Sequence, residues 1–308
     1  MTSLFGLPII VSIILGMVFP YAAISLAPFS LIFLVILMIS AGLAIDWSKT
    51  VLLITRIREI GIAMVFAFVV YPIMLWIPAQ MLIDDQQILY GFVFSSLSPI
   101  AMVAPYFSRL HQADPEFSML LVIASMILCP ILAPVLLAVL FSTSVSLNLL
   151  PLTRYMLLLI TVPLLVSAII ASYLPKIRQQ ITRYEGYTNS ITLSLLIFAL
   201  FGTAASKLNI NYIGTLEVAS LLILVFLQDF GVLFISRYLL RNLLRPDTAR
   251  ALTIAVSMKN VAITAGVLLI YDPRASFAPA LAFIAHAFLF SFLANPRLSG
   301  WVLGRQDQ

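Results

Sequence analysis

The sequence predicts an all-α, polytopic membrane protein of about ten transmembrane helices, arranged as two inverted five-helix repeats. Three observations predict it. Of the 308 residues, 62% are hydrophobic and only 9% charged. With a mean hydropathy of +1.12, the chain has too little polar surface to face water as a globule. Its basic residues gather on one side of a ten-span layout, and a pair of polar landmarks recurs at one fixed offset.

Taken in order, apolar stretches bounded by Pro, Gly or charged clusters place the spans near 5 to 25, 28 to 45, 57 to 80, 87 to 110, 116 to 141, 153 to 174, 189 to 206, 214 to 238, 249 to 270 and 276 to 296. Residues 4 to 20 follow no basic segment and precede no small-residue cleavage site, so they read as a first span and not as a removable signal. Lys49, Arg56, Arg58, Arg109, Lys176, Arg178, Arg183, Arg237, Arg241, Arg245, Arg250, Arg297 and Arg305 fall on one side. Arg154, Lys207 and Arg274 fall on the other, with Asp84 and Asp85. The positive-inside rule then puts both termini in the cytoplasm, in the inner cell membrane. The net charge of +5 therefore reports topology. It lacks the clustered basic and aromatic pattern of a nucleic-acid surface.

The repeat rests on two landmarks. Asp114-Pro115-Glu116-Phe117-Ser118 recurs as Asp272-Pro273-Arg274-Ala275-Ser276, and the polar point at Pro99 recurs at Ser257. Both pairs are 158 positions apart (114 to 272, 99 to 257). Five spans per half is odd, so residues 150 to 308 insert inverted relative to residues 1 to 145. Asp-Pro is also ordinary punctuation before a helix, which is the competing reading of the dipeptides.

The fourth span carries Ser95-Ser96-Leu97-Ser98-Pro99 and then Pro105. Two prolines six apart remove backbone donors, so a straight helix is not expected and free carbonyls should appear at mid-depth. In the ninth span, Ser257-Met258-Lys259-Asn260 puts a lysine near the centre of the run from 251 to 270. A mid-bilayer ammonium costs about 3 kcal/mol unless a partner or a wet cavity receives it. Asp229, beside Gln228 in the eighth span, is the expected partner. The alternatives are a permanent Lys259–Asp229 ion pair that only holds helices together, and a pair that exchanges protons. His286 in the tenth span reads either as a packing donor or as part of this network. One cysteine, Cys129, and two distant histidines exclude a disulfide and a spaced metal site. The absence of HExxH and GxSxG motifs argues against an embedded enzyme.

Ser98-Pro99 through Asp114 and Ser118, the Ser257 to Asn260 element and the two-repeat layout resemble the bile-acid/sodium symporter superfamily. The resemblance implies a core domain of spans 3 to 5 and 8 to 10, a panel domain of spans 1, 2, 6 and 7, and spans 4 and 9 broken where they cross. It implies alternating access, and a substrate site drawn from Ser98, Pro99, Pro105, Ser118, Ser257, Met258, Asn260 and Thr264. Helical spacing puts Ser257, Asn260 and Thr264 on one face, which serves packing equally well. Sodium-coupled members carry Ser-Asn where this chain has Ala104 and Pro105. They also carry Glu, Gln and Asn where it has Ala255, Lys259 and Asn260, a hydroxyl at Val122 and a Gln at Ala67. The usual sodium sites are therefore expected to be absent, no cofactor is implied, and Lys259 stands where a cation would sit.

The expected function is a sodium-independent, alternating-access transporter of a small organic anion, proton-coupled through Lys259 and Asp229. Sodium/proton antiporters, whose fold is similar, also use an intramembrane Asp and Lys. The rival readings are a sodium-coupled symporter, a channel, or an arsenite carrier, to which Ile100-Ala101-Met102-Val103 is similar. Arsenite carriers have a thiol just before that run where this chain has Pro99, and Cys129 is displaced in sequence.

Overall fold

A computed structural model describes residues 7–47, 55–141, 149–207 and 215–303. Lys49, Arg305, the outer ends of the first and eighth expected spans and the boundary at 145 lie outside the described residues. The described chain is all helical apart from turns and one isolated β-bridge. Among the described residues six helices are long and apolar enough to cross a membrane: α2 (Pro20–Ala44), α3 (Ile57–Leu82), α6 (Pro115–Phe141), α7 (Leu150–Tyr173), α9 (Glu185–Lys207) and α10 (Leu216–Leu240). The chain is an integral membrane protein.

Shorter or interrupted helices fill the other expected spans. They are α1 (Leu7–Val18), the pair α4 (Gln86–Ser96) and α5 (Ala104–Leu110), the pair α11 (Pro246–Ser257) and α12 (Val261–Tyr271), and α13 (Phe277–Leu293). The division expected between spans one and two, at 25 to 28, instead falls inside α2 at a 3₁₀ turn, Ala27–Phe29, that does not end the helix; the break comes earlier. It lies at Phe19, before Pro20, whose missing N–H suits a helix start. Two helices lie outside the span count. α8 (Pro175–Arg183) has no buried residue and carries the basic cluster that the sequence suggested was loop, and α14 (Pro296–Leu303) turns 94° from α13. Both alternate apolar and basic or polar residues over one or two turns, too short a pattern for a span.

Apolar side chains cover the outside as well as filling the core, as a lipid solvent allows. On α6, Ile127, Ile131, Val135 and Val139 are exposed at four-residue spacing while Ser118, Ser125 and Cys129 are enclosed. α11 from Thr248 onward and α12 are buried on nearly every face; α12 is apolar all round, whereas α11 encloses Thr248, Thr253 and Ser257 among its apolar residues. Helices α1, α2, α7 and α9 pack chiefly on one another. Helices α3 to α6 and α10 to α13 form a second set around the interrupted pairs.

Polar groups collect at two opposite ends. At one, Arg56 bonds Glu59 at 2.6 Å, Asp114 at 2.7 Å and Thr248 at 3.3 Å, tying the starts of α3, α6 and α11 together. Burial works against the Arg56 charge, but the hydrogen bonds to Asp114 and Glu59 outweigh it and its pKa is raised. At the other end Asp85 caps α4 through the N–H groups of Gln87 and Ile88. Its own N–H donates to Glu217, and its carboxylate pairs with Arg274. This grouping by ends is the one the charge pattern predicted. Asp114 accepts from Phe117 N–H at 2.9 Å, and Asp272 from Arg274 and Ala275 N–H, so both Asp-Pro elements also act as local caps.

At Gly91 on α4 a Cβ would stand 1.9 Å from the Ala275 carbonyl oxygen, whereas at Gly61 it would meet nothing within 4 Å. Gly91→Ala should lower stability by about 1 to 3 kcal/mol through forced backbone separation, while Gly61→Ala should be neutral or slightly stabilising. Thermal unfolding of the detergent-purified protein checks this. An unchanged melting point for Gly91→Ala would show that the α4 contact is looser than drawn.

Candidate functional site

The two interrupted helices meet at their breaks. Pro99 and Pro105 keep residues 97 to 103 from closing a regular helix, and Met258 to Asn260 separate α11 from α12 although that stretch has no Pro or Gly. What opens the second break is pairing with the first. Ile100 and Lys259 form an antiparallel bridge, with Ala101 N–H donating to the Met258 carbonyl at 2.7 Å and Asn260 N–H donating to the Pro99 carbonyl at 2.7 Å. Two groups that a continuous helix would satisfy internally are thus satisfied across the protein.

The remaining freed groups find side chains. Ile100 N–H donates to Ser125 Oγ at 2.9 Å, and the Cys129 thiol to the Leu97 carbonyl at 3.4 Å. The Lys259 carbonyl accepts from Nε2 of His286 at 2.7 Å. Ser98 Oγ and Thr264 Oγ1 are 2.8 Å apart and clip α12 to the first break. Cys129 is thus far from Pro99 in sequence but beside the crossover in space. It is fully enclosed and already bonded.

Lys259 is 1% exposed, the central buried charge the sequence indicated. Its ammonium donates to the carbonyls of Ala67 at 2.9 Å and Ser98 at 3.1 Å and lies 4.7 Å from the centre of the Tyr71 ring and 5.2 Å from that of Phe68. The Ala67 carbonyl is available for a local reason. Residues Phe66–Val70 form a π turn in which Tyr71 N–H bonds the Phe66 carbonyl; the next residue, Pro72, has no N–H to offer Ala67. Carbonyls and ring faces supply an ammonium with partial charges in place of a carboxylate.

The expected Lys259–Asp229 pair is not formed, because the lysine side chain runs toward α3 while Asp229 faces α13. Asp229 Oδ2 lies 2.8 Å from Nδ1 of His286, and both residues are buried. Asp229 and Gln228 occupy another π turn, Leu227–Gly231. Gln228 accepts from Ser95 Oγ at 2.8 Å through its side chain and from the Tyr71 hydroxyl at 3.2 Å through its carbonyl. Sequence spacing alone could not show these contacts, since Tyr71 and Gln228 are 157 residues apart. A rare intramembrane histidine was the one signal for His286.

Of the predicted substrate residues, Pro105 and Asn260 are half-buried. Ser98, Pro99, Ser118, Ser257, Met258 and Thr264 are enclosed. Ser118 Oγ pairs with Ser108 Oγ at 2.5 Å, and Ser257 Oγ returns to the Ile254 carbonyl at 2.9 Å. In this conformation those hydroxyls link helices or cap their own turn, and the accessible rim of the crossover is Met102, Val103, Pro105, Tyr106 and Asn260.

The family model described as Sodium Bile acid symporter family matches residues 31–216, more than half of the chain. The chain belongs to that family. A search of the curated proteins returns no match for it. Membership makes it a protein of the bile-acid/sodium-symporter type, acting on a small molecule in a lipid bilayer. Within the family pattern, two positions that depart from the sodium-coupled members, Lys259 and Ala67, are in direct contact here.

The Ser98–Thr264 clip predicts a measurable coupling. Ser98→Ala, Thr264→Val and the double variant should give a thermal-stability cycle with a coupling of about 1 kcal/mol. Strict additivity would mean that the two hydroxyls do not bond.

Proposed function

We propose that the protein is a sodium-independent secondary transporter of a small organic anion, working by alternating access and coupled to protons in the Lys259 and Asp229 region. The observation that carries this is the enclosed Lys259 ammonium at the meeting point of two interrupted helices. Neutral groups hold it, so its charge is left uncompensated by any direct carboxylate contact. That charge and the N-terminal end of α12 favour an anion at the half-exposed rim around Asn260 and Pro105. Sodium independence is supported by the hydroxyls around the crossover and by Lys259 itself. The hydroxyls of Ser98 and Thr264, and of Ser108 and Ser118, spend their bonds on each other, and a fixed ammonium stands among carbonyls that would otherwise suit a hard cation.

The packing supports an inverted repeat of residues 1 to 145 and 150 to 308. α1, α2, α7 and α9 then form a panel, with the second helix set as a core that moves against it. The π turns of α3 and α10 sit at nearly corresponding places in the two halves and are joined by the Tyr71–Gln228 bond. Cytoplasmic termini in an inner cell membrane follow from the end that gathers Arg56, Arg237, Arg241, Arg245 and Arg250. A carrier also fits better than an enzyme, since among the described residues Lys259 is held by backbone carbonyls and His286 meets two carbonyls and Asp229, with no hydroxyl or thiol bonded to it as a nucleophile.

Thermal-shift screening against a panel of organic acids, including a bile acid, should give a stabilising ligand. In proteoliposomes that ligand should show saturable uptake and counterflow. Replacing sodium by potassium should leave uptake unchanged, an imposed pH gradient should drive it, and Lys259→Ala should lower it at least about tenfold. Uptake that requires sodium, or a Lys259→Ala protein with unimpaired gradient-driven uptake, would overturn the reading.

A further inference from the structure

A second buried polar cluster lies beside the crossover, between α10 and α13. Nε2 of His286 is 2.7 Å from the Lys259 carbonyl. Nδ1 is 3.0 Å from the Ala282 carbonyl and 2.8 Å from Asp229 Oδ2. A carbonyl can only accept, so the contacts to Lys259 and Ala282 each require a hydrogen on the ring. Two ring hydrogens make an imidazolium, facing the Asp229 carboxylate. Asp229 Oδ1 takes no hydrogen bond, and Nε2 of the preceding residue, Gln228, has no partner either. All of these groups are enclosed. A compact ionic pair with unused donor and acceptor capacity, set on a π turn, is suited to changing its partners.

We propose that Asp229 and His286 form the proton-binding site of the carrier, with Lys259 as the fixed cation and the Nδ1 hydrogen as the proton exchanged. This rests on the proton-coupled reading above and assigns the site of coupling within it. On loading, Nδ1 takes a proton from the cavity and the pair passes from one net negative charge to neutral. On unloading, the proton returns and Nε2 keeps its hydrogen throughout. Unloaded, Nδ1 becomes an acceptor facing the Ala282 carbonyl and the Asp229 carboxylate. Three acceptors then share no hydrogen and must separate.

The separation reaches the crossover because the same ring holds the Lys259 carbonyl. The negative charge left on Asp229 also attracts the Lys259 ammonium. The direct Lys259–Asp229 pair expected from the sequence then belongs to the unloaded state, and the arrangement seen here is the loaded one.

Few other charges face the pair. Tyr71 of α3 is electrostatically coupled to Asp229, and Lys259 presents its carbonyl. Cys129 of α6 faces Lys259. Tyr90 of α4 faces Tyr271 of α12 and Asp272. Glu217 and Arg237 are near the ends of α10, Asp247 and Arg250 in the first turns of α11. Glu185, Tyr187 and Arg297 are in the first turns of α9 and α14, and His111 bonds the Leu293 carbonyl at the far end of α13.

The chain has two histidines, so nitrogen NMR of protein labelled with ¹⁵N-histidine reads His286 directly once His111→Gln removes the other signal. No substrate is needed. Between about pH 5 and pH 9 the His286 nitrogens should pass from two protonated sites to one, with Nε2 as the site that keeps its hydrogen. Asp229→Asn should abolish that transition or displace it by at least about one pH unit, whereas Lys259→Met should leave a transition in place. Asp229→Glu, which keeps the carboxylate, should restore it if Asp229→Asn folds poorly.

A His286 that keeps one state over the whole range, or a transition indifferent to Asp229→Asn, would overturn the assignment. Proton-driven uptake by that same protein would leave the carrier reading standing. Conversely, a titrating pair in a protein whose uptake ignores pH gradients supports the site and overturns the coupling.

Discussion

Breaking two helices inside a membrane leaves backbone groups that water cannot reach, and the structure depends on those groups being satisfied by one another. The Ile100–Lys259 bridge does this for the groups flanking the bridged residues. Ser125, Cys129 and His286 complete it from α6 and α13. Each helper is polar, enclosed and placed where a lipid-facing helix would have no use for it. A similar economy appears in α3, where a π turn followed by Pro72 releases the Ala67 carbonyl at the depth where an ammonium needs it.

The electrostatic consequence is that Lys259, in its charged form, is a positive centre without a counter-ion in contact. A close carboxylate would stabilise Lys259 more strongly but would also cancel its field. Two carbonyls and two ring faces restrain the ammonium and leave its charge to act on its surroundings. The acid is held one residue layer away, on His286, which is tied in turn to the carbonyl of the same lysine. Residue 259 therefore couples to two neighbours in opposite directions, through its side chain to α3 and through its backbone to α13.

The rest of the fold isolates this centre. Lipid-facing stripes such as Ile127, Ile131, Val135 and Val139 occupy the outside, and polar clusters around Arg56 and around Asp85 pin the helix starts at the two ends. Between these ends, α11 and α12 are surrounded by protein. That packing is what allows a non-helical Met258 to Asn260 in the interior of a membrane protein.

The sequence by itself determined the membrane class, because composition and hydropathy are properties of the solvent the chain must face and need no knowledge of contacts. It also located the interruption in the fourth span, through Pro99 and Pro105, and the enclosed Lys259, since a proline or a charge within an apolar run carries its consequence locally. The grouping of helix ends was legible because charge follows topology. Only the tertiary structure decided the partners. The break before α12 has no proline or glycine and exists because Pro99 and Ala101 capture its backbone. Asp229 meets His286 in preference to Lys259, and Cys129 lies beside a motif it is remote from in sequence. The physical reason is that hydrogen bonds between spans are fixed by how helices rotate against one another. In lipid that rotation follows from packing over many residues, with no single local pattern to mark it.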